Sequence, residues 1–427
     1  MALTSSLYAG LSSLSANGRS LQVTSDNIAN VNTVGFRGSR TQFEDLLAQS
    51  VVGVGELGSG VRLSGIERLF EQGAIIGTQR ATDLAINGRG FFVLRSESDP
   101  QELMFTRNGQ FSADNDGFLE TATGLRVQGY PADGNGGFLS TLGDIRIAEA
   151  NVPPQATSSI DLSINLPSSA PVSANPFNIN DVDGTTQAST SIVIYDALGA
   201  PHQGILYFTK SAPNQWDYNL VISNADLGLT PTEDATAVAT GQLGFTSDGL
   251  LDTEVGGSFT VDFPGATTNS ITLDFGQSIT TDGASTPTGS SQFDRPTSVN
   301  QLSQDGFAAG EFQALSVGED GVVEASFTNG QTRAVARVAM ANFVSQEGLR
   351  RVGGNMFQET EESGNALIGF ANSGGRGAIL GASLEQANVD LSTEFVRLIN
   401  DQRAFQAATR TITTADELLA EVVNLIR

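Results

Sequence analysis

Apolar residues recur at every seventh position along the C-terminal end of the chain: Leu384, Leu391, Leu398, Phe405, Ile412, Leu419 and Ile426. The N-terminal end carries a matching run, Leu7, Leu14, Leu21 and Ile28. Seven residues span about two helical turns, so each run draws a stripe along one side of a helix. From residue 384 to the end, the spacing predicts one helix of roughly 65 Å at ~1.5 Å per residue. Such a helix must lay its stripe against something. Positions four beyond the stripe are mixed: Phe395 and Val423 are apolar, whereas Gln402, Thr409 and Asp416 are not. A narrow seam with polar neighbours suits long helices packed side by side better than an isolated dimeric zipper. Burial in an ordinary bundle is the plainer reading, but the chain offers no further helices to complete one. The N-terminal stripe is weakened by Gly10, Asn17 and Gly18, each glycine costing about 1 kcal/mol relative to alanine. It is therefore expected to fold only against a partner.

Between the two ends the apolar period falls to two. Asp83 to Leu94 reads as two strands around a tight turn, and Asn108-Gly109, Asp116-Gly117, Asp320-Gly321 and Asn329-Gly330 are further hairpin signals. Ala334, Ala336, Val338 and Met340 share one face of a strand. In the middle, Trp216, Tyr218, Leu220 and Ile222 alternate with Asp217 and Asn219, and Phe259-Val261-Phe263 and Ile271-Leu273-Phe275 repeat the pattern. Pro153-Pro154 and the Ser/Thr/Gly/Pro-rich run from Thr280 to Pro296 bound this stretch as linkers. The expected fold is multidomain and mainly β. Terminal helices 1–30 and 384–427 pair in a coiled-coil-like domain, and 31–78 with 364–383 form an extended connecting region with Gly-rich joints near 51–60 and 369–381. An inner β-domain takes 79–150 and 301–363, and an outer β-domain, 151–300, is inserted into it.

A chain of 427 residues is long enough for two to four domains. Its formal net charge of -25, with Lys210 the only lysine, excludes the clustered cations that nucleic-acid binding needs. There is no cysteine, hence no disulfide framework and no thiolate metal site. No run approaches 18 apolar residues, so no membrane insertion is expected. The first residues lack the basic and apolar regions of a Sec signal, so export would have to take another route.

Catalytic chemistry finds little to use. His202 is the only histidine and lies in a turn-like Gly-Ala-Pro-His-Gln-Gly context, so any triad, zinc site or histidine base would rest on it. No nucleophile elbow, His-Glu-x-x-His or phosphate loop is present. Asp114-Asn115-Asp116-Gly117 begins like a calcium loop, but the acid expected near its twelfth position would fall at Leu125. The expectation is no enzyme, no metal and no cofactor.

The segment Ser25-Asp26-Asn27-Ile28-Ala29-Asn30-Val31-Asn32-Thr33-Val34-Gly35-Phe36-Arg37 resembles the N-terminal signature of bacterial flagellar rod and hook proteins. Asn27, Asn30 and Asn32 offer side-chain amides to the backbone where the helix ends, and Gly35 supplies a turn. Asn388-Val389-Asp390-Leu391, Glu394 to Ile399, Gln402 to Ala407 and Thr413 to Leu419 are similar to the C-terminal signature, with Ala387 a small departure. Asp83 to Leu94 and Gly348 to Asn355 are similar to the first β-domain of the family. The resemblance singles out Asn27, Ile28, Ala29, Asn30, Thr33, Gly35, Asn388, Val389 and Asp390 as signature residues. Its length and middle segment resemble hook-type members more than the shorter rod members. This implies a homopolymer forming a bending tube between rod and filament, outside the cell. It also implies a distal rod protein, a hook cap protein and a hook–filament junction protein as partners, and export by the flagellar type III apparatus. A distal rod protein with an enlarged outer domain is the rival within the family. A secreted β-rich adhesin or enzyme is the rival outside it.

Overall fold

The computed structural model describes residues 2–47, 58–97, 99, 102–134, 136–147, 151–229, 235–285 and 288–425. The chain divides into two compact units. One comprises Met1–Glu149, Gln313–Ser326 and Thr332–Arg427; the other comprises Ala150–Phe312 and Phe327–Gln331.

In the first unit, the N-terminal helix Ala2–Ala29 packs along the C-terminal helix Leu391–Leu425. Within the connecting region 31–78, the described residues include two strands. Ser39–Leu47 and Gly58–Arg68 pair antiparallel from Ser39↔Arg68 to Leu47↔Gly58, and this hairpin lies against the N-terminal helix. Of the predicted Gly-rich joint at 51–60, residues 51–57 lie outside the described residues. Residues 58–60 open the second strand of the hairpin.

The β-part of this unit is built on a sheet whose central strand, Phe91–Arg95, is buried on both faces. Thr332–Val338, Arg126–Pro131, Phe91–Arg95, Leu103–Thr106, Met356–Gln358 and Arg350–Gly353 are successive neighbours in it. Along Phe91-Phe92-Val93-Leu94, Phe92 and Leu94 join one apolar cluster with Val127, Val338 and Ile379. Phe91 and Val93 join the other, with Phe105, Phe343 and Phe357. A continuous apolar run is what a strand covered on both sides requires. Ala336, Val338 and Met340 are buried as their alternation predicts, whereas Ala334 is exposed.

The strands flanking Asn87-Gly88-Arg89-Gly90 do not form the predicted hairpin. Leu84–Asn87 pairs with Ala378–Gly381, while Phe91–Arg95 pairs with Leu103–Thr106. Gly88 and Gly90 take φ of 111° and 127°, which carries the chain from one sheet to another. The same pairing corrects the predicted joint at 369–381: Ala378–Gly381 is a strand anchored in this unit. Ser383–Glu385 is another, paired with Ile75–Gly77. Leu384 is therefore a buried strand residue and not the first turn of the helix, which begins at Leu391. The extended backbone of Ser383–Glu385, paired in a ladder, is incompatible with a helical turn at Leu384.

The second unit has two sheets around one core. Ala188–Tyr195, Pro201–Ala212, Gln215–Ser223, Ala235–Phe245 and Leu251–Val255 follow one another antiparallel. Ser258–Val261, Asn269–Asp274, Ser159–Asn165 and Ser298–Gln304 form the other sheet. Trp216, Tyr218, Leu220 and Ile222 all point into the core, with Phe208, Leu273 and Phe275. Lys210 is buried, and its Nζ donates to the carbonyls of Ser168 at 2.6 Å and Ala170 at 3.0 Å. His202 lies in a strand, stacked on Phe263 with ring centroids 3.9 Å apart. Its Nε2 sits 3.4 Å from Asp196 Oδ2 and its Nδ1 3.6 Å from Asp226 Oδ1. That is a packed aromatic ring between two acids.

Glu254, on Leu251–Val255, has its carboxyl pushed up to about 7 by burial, with Asp274 and Asp282 adding repulsion and the Phe275 amide opposing. The folded unit therefore holds this proton more tightly than the unfolded chain. Glu254 costs nothing below its unfolded value near 4.5 and destabilises progressively as pH rises through about 7. Glu254→Gln should raise the melting temperature of this unit at pH 8 but leave it unchanged at pH 4. Trp216, the sole tryptophan and fully buried, reports the transition by fluorescence. An equal shift at both pH values would count against this assignment.

Candidate assembly site at the joined chain ends

The two terminal segments meet at a buried node. Glu385, with no exposed surface, accepts from Arg37 Nη2 at 2.8 Å and from Arg107 Nη1 at 3.3 Å. The amide of Gly73 donates to the same carboxylate at 3.0 Å, and the Glu385 carbonyl accepts from Gly35 N at 2.8 Å. Arg37 comes from the N-terminal signature, Arg107 from the β-part and Glu385 from the approach to the C-terminal helix. One carboxylate thus ties three distant stretches of sequence. Two guanidiniums share it, so the node carries excess positive charge. Burial, and then repulsion from Arg37, lower the Arg107 pKa to about 10, against the pull of Glu385. Arg107 Nη2 also donates to the Gly88 carbonyl at 2.6 Å, and its guanidinium lies 5.5 Å from the Phe91 ring.

The signature asparagines work here as backbone substitutes. Asn27 Nδ2 donates to the Ser39 carbonyl at 2.8 Å, and its Oδ1 accepts from Ser39 N at 2.9 Å. This matches the pair of bonds a neighbouring strand would make and fixes the hairpin to the end of the helix. Asn388 does the same on the other side. Its Oδ1 accepts from Gly38 N at 2.8 Å, and its Nδ2 donates to the carbonyls of Leu69 and Glu71. Asn30 folds back on Asp26, and Thr33 donates to Asn30. Gly35 takes φ +68°, and a Cβ there would lie 2.6 Å from Asn108 N, so only glycine fits. Asp390 caps the C-terminal helix through Thr393 N at 2.7 Å, a bond that holds its carboxyl below the usual range. Ile28 and Val389 are half-buried, whereas Ala29 is exposed.

Above the node the helices do not meet through the predicted leucine stripes alone. The most covered positions of the C-terminal helix are Glu394, Ala408 and Ala415, with Asp401 in register between them. These recur every seven residues, three beyond Leu391, Leu398, Phe405 and Ile412. Facing them on the N-terminal helix are Ser20, Thr24 and Asn27, all buried. Asp401 Oδ2 accepts from Ser20 Oγ at 2.9 Å and Thr24 Oγ1 at 3.1 Å, and Glu394 Oε2 accepts from Asn27 Nδ2 at 3.2 Å. A Cβ on Gly10 would lie 3.0 Å from Ile412 Cγ1, so this glycine lets the helices approach closely.

Leu7, Leu14, Leu21, Leu398, Ile412 and Leu419 are half-covered, while Leu391 and Phe405 are exposed. Ile426 lies outside the described residues. Leu7, Tyr8, Leu11 and Ile412 line an open apolar hollow of about 280 Å³, with Tyr8 71% exposed. The polar half of the seam and the Glu385 node went unrecognised in the sequence. The same seven-residue spacing, read three positions on, marks the first; nothing local marks the second.

Among the described residues, no group of acids and histidines is arranged to hold a metal ion, and no helix is long and apolar enough to cross a membrane. The joined chain ends and the β-parts each match families of flagellar proteins. Residues 7–37 match the flagella basal body rod protein family, and 381–425 match the flagellar basal body rod FlgEFG protein C-terminal family. Residues 85–181 match the flagellar hook protein FlgE/F/G D1 domain, and 165–307 the flagellar basal body protein FlaE D2 domain. The flagellar hook protein FlgE of Salmonella typhimurium is 32% identical over 97% of this chain and 98% of its own length. That of Borreliella burgdorferi is 33% identical over 98% and 99%. A crystal structure of Helicobacter pylori flagellar hook protein FlgE2 shares the fold, with a TM-score of 0.51 at 19% identity, covering 71% of this chain and 98% of that one. The chain belongs to the flagellar hook protein FlgE family. It is a structural subunit of the hook, an extracellular part of the flagellum, in a non-enzymatic family.

Removing the shared carboxylate should be severe, because both guanidiniums would be left buried without a counter-charge. Glu385→Ala should cost about 3–5 kcal/mol in the first unit. Denaturant unfolding followed by circular dichroism would measure this; a loss below about 1 kcal/mol would show that the node is not the tie described.

Proposed function

We propose that copies of this chain assemble through their terminal helices into a bending tube that links rod to filament, transmits torque and encloses an export channel. The observation that carries this reading is the apolar surface left open on the helix pair. Tyr8, Leu11, Leu391, Phe395, Val396, Ile399, Phe405 and Leu418 are all exposed. Apolar side chains crowded along two paired helices mark a surface meant to be covered. The fully buried positions between the two helices of one chain are small and polar, with Ile412 set against Gly10 beside them. Most of the gain from the stripes at Leu7, Leu14, Leu21, Ile28, Leu398, Phe405, Ile412 and Leu419 then comes from neighbouring copies, and the helices gain order as the polymer forms. On this reading Ile426 extends the same stripe, Asn27, Gly35, Asn388 and Asp390 hold the helix pair at a set angle to the β-part, and Leu384 serves by anchoring a strand.

The distal rod protein, the hook cap protein and the hook–filament junction protein are the partners this role calls for at the ends of the tube. Passage through the flagellar type III apparatus is the export route. A narrow channel needs a chain that unfolds, and the chain has no disulfide to prevent this.

Deleting Leu391 to Arg427 should abolish hooks and external filaments while the second unit, followed by Trp216 fluorescence, still melts cooperatively. Normal motility in that strain would sink the proposal. A milder test replaces Phe405 with Asp, which should cut hook number at least severalfold; unchanged hooks would remove the stripe from the contact. In dilute monomer both chain ends should be the first sites of protease cutting, with a resistant fragment retaining the second unit.

A further inference from the structure

The strand Ser298–Gln304 contributes nothing to the core of its own unit. It pairs antiparallel with Ser159–Asn165 along one edge, and its other edge has no hydrogen-bonded strand among the described residues. Of its seven residues, six are exposed and Gln304 is half-covered; both apolar ones are open, Val299 at 42% and Leu302 at 40%. An ordinary edge strand still buries one face. This one buries neither, and it is held by its ladder to Ser159–Asn165 and by side-chain bonds of Ser303 to Asp161 and of Gln304 to Thr157 and Gly306.

Protection against edge-to-edge association is also thin. From Thr297 to Gln304 there is no charge, no proline and no glycine, and a bulge at Asn300 is the one irregularity. Two of the other edges are covered, and the third, Ser258–Val261, is also uncharged but buries one face through Val261. Leu251–Val255 carries Asp252 and Glu254, and is covered by the amides of Ile279 and Thr280, which donate to Leu251 and Asp252. Ala188–Tyr195 has the Thr157 amide on its Tyr195 carbonyl.

We propose that Ser298–Gln304 is a docking edge for a second copy of this chain in the assembled hook, an inference that rests on the polymeric reading above. Charge selects this occupant. At a net charge of -25 two copies repel over most of their surface, and an uncharged strip with free amides and carbonyls is where they approach at least cost. Copies arranged along a helix meet head to tail, so the strand faces a different surface of the next copy and not its own twin. Val299 and Leu302 supply the apolar contact, and the open backbone supplies direction.

The chain has no cysteine, which makes the edge easy to probe. With Gln301→Cys as the only thiol, labelling by a maleimide polymer should be at least tenfold slower in purified hooks than in the same protein depolymerised to monomer. Equal rates would overturn the proposal, as would slow labelling already present in the monomer, which would mean the strand is covered by its own chain. Leu302→Lys provides a second arm. Its monomer should melt within about 2 °C of the parent, since Leu302 supports no core, yet assembly should fall severalfold. Normal hook assembly by Leu302→Lys would also overturn it. Absence of hooks in cells making the unsubstituted chain is a distinct result, which would bring down the polymeric reading and this one with it.

Discussion

The architecture of the first unit depends on one buried carboxylate. Glu385 sits where the N-terminal signature, the β-part and the entry to the C-terminal helix converge, and it holds Arg37 and Arg107 together. Like charges do not share a dry site unless an opposite charge compels them. Their closeness therefore reports how firmly Glu385 is placed, on a strand paired to Ile75–Gly77. From that point the helix can start only where Asp390 caps it, and the N-terminal helix can end only where Asn27 meets Ser39. The directions of both helices follow from groups packed at their bases.

This division of labour separates two kinds of contact. At the base, the bonds are buried, polar and specific, and each asparagine has little freedom to choose another partner. Along the helices, Asp401 is bonded across to Ser20 and Thr24, and Gly10 lies close against Ile412 and Ala408. The larger apolar side chains flank this line. A chain that buried its leucines against itself would have little left to offer a neighbour. One that left them all open would lose definition as a monomer.

The overall class was legible in the sequence because it rests on periodicity. The alternation through Trp216 and Ile222 and the terminal stripes needed only spacing to be seen, and the terminal helices do meet. What misled was local spacing taken without its partners. Leu384 continued the seven-residue run, yet the strand pairing of Ser383–Glu385 takes it out of the helix. Asn87-Gly88-Arg89-Gly90 looked like a hairpin turn, but each flanking strand finds a partner elsewhere. The Glu385 node was invisible for the same reason: its members lie at positions 37, 107 and 385, and no local pattern distinguishes these charges from solvated ones.

The position of Lys210 has a practical corollary for covalent chemistry. The only side-chain amine of the chain is enclosed between two carbonyl groups. While the second unit stays folded, no lysine is presented to acylating dyes, glycating sugars or amine-directed crosslinkers. A covalent map of a polymer of this chain has carboxylates, arginines and exposed tyrosines such as Tyr8 to use, or thiols placed by design.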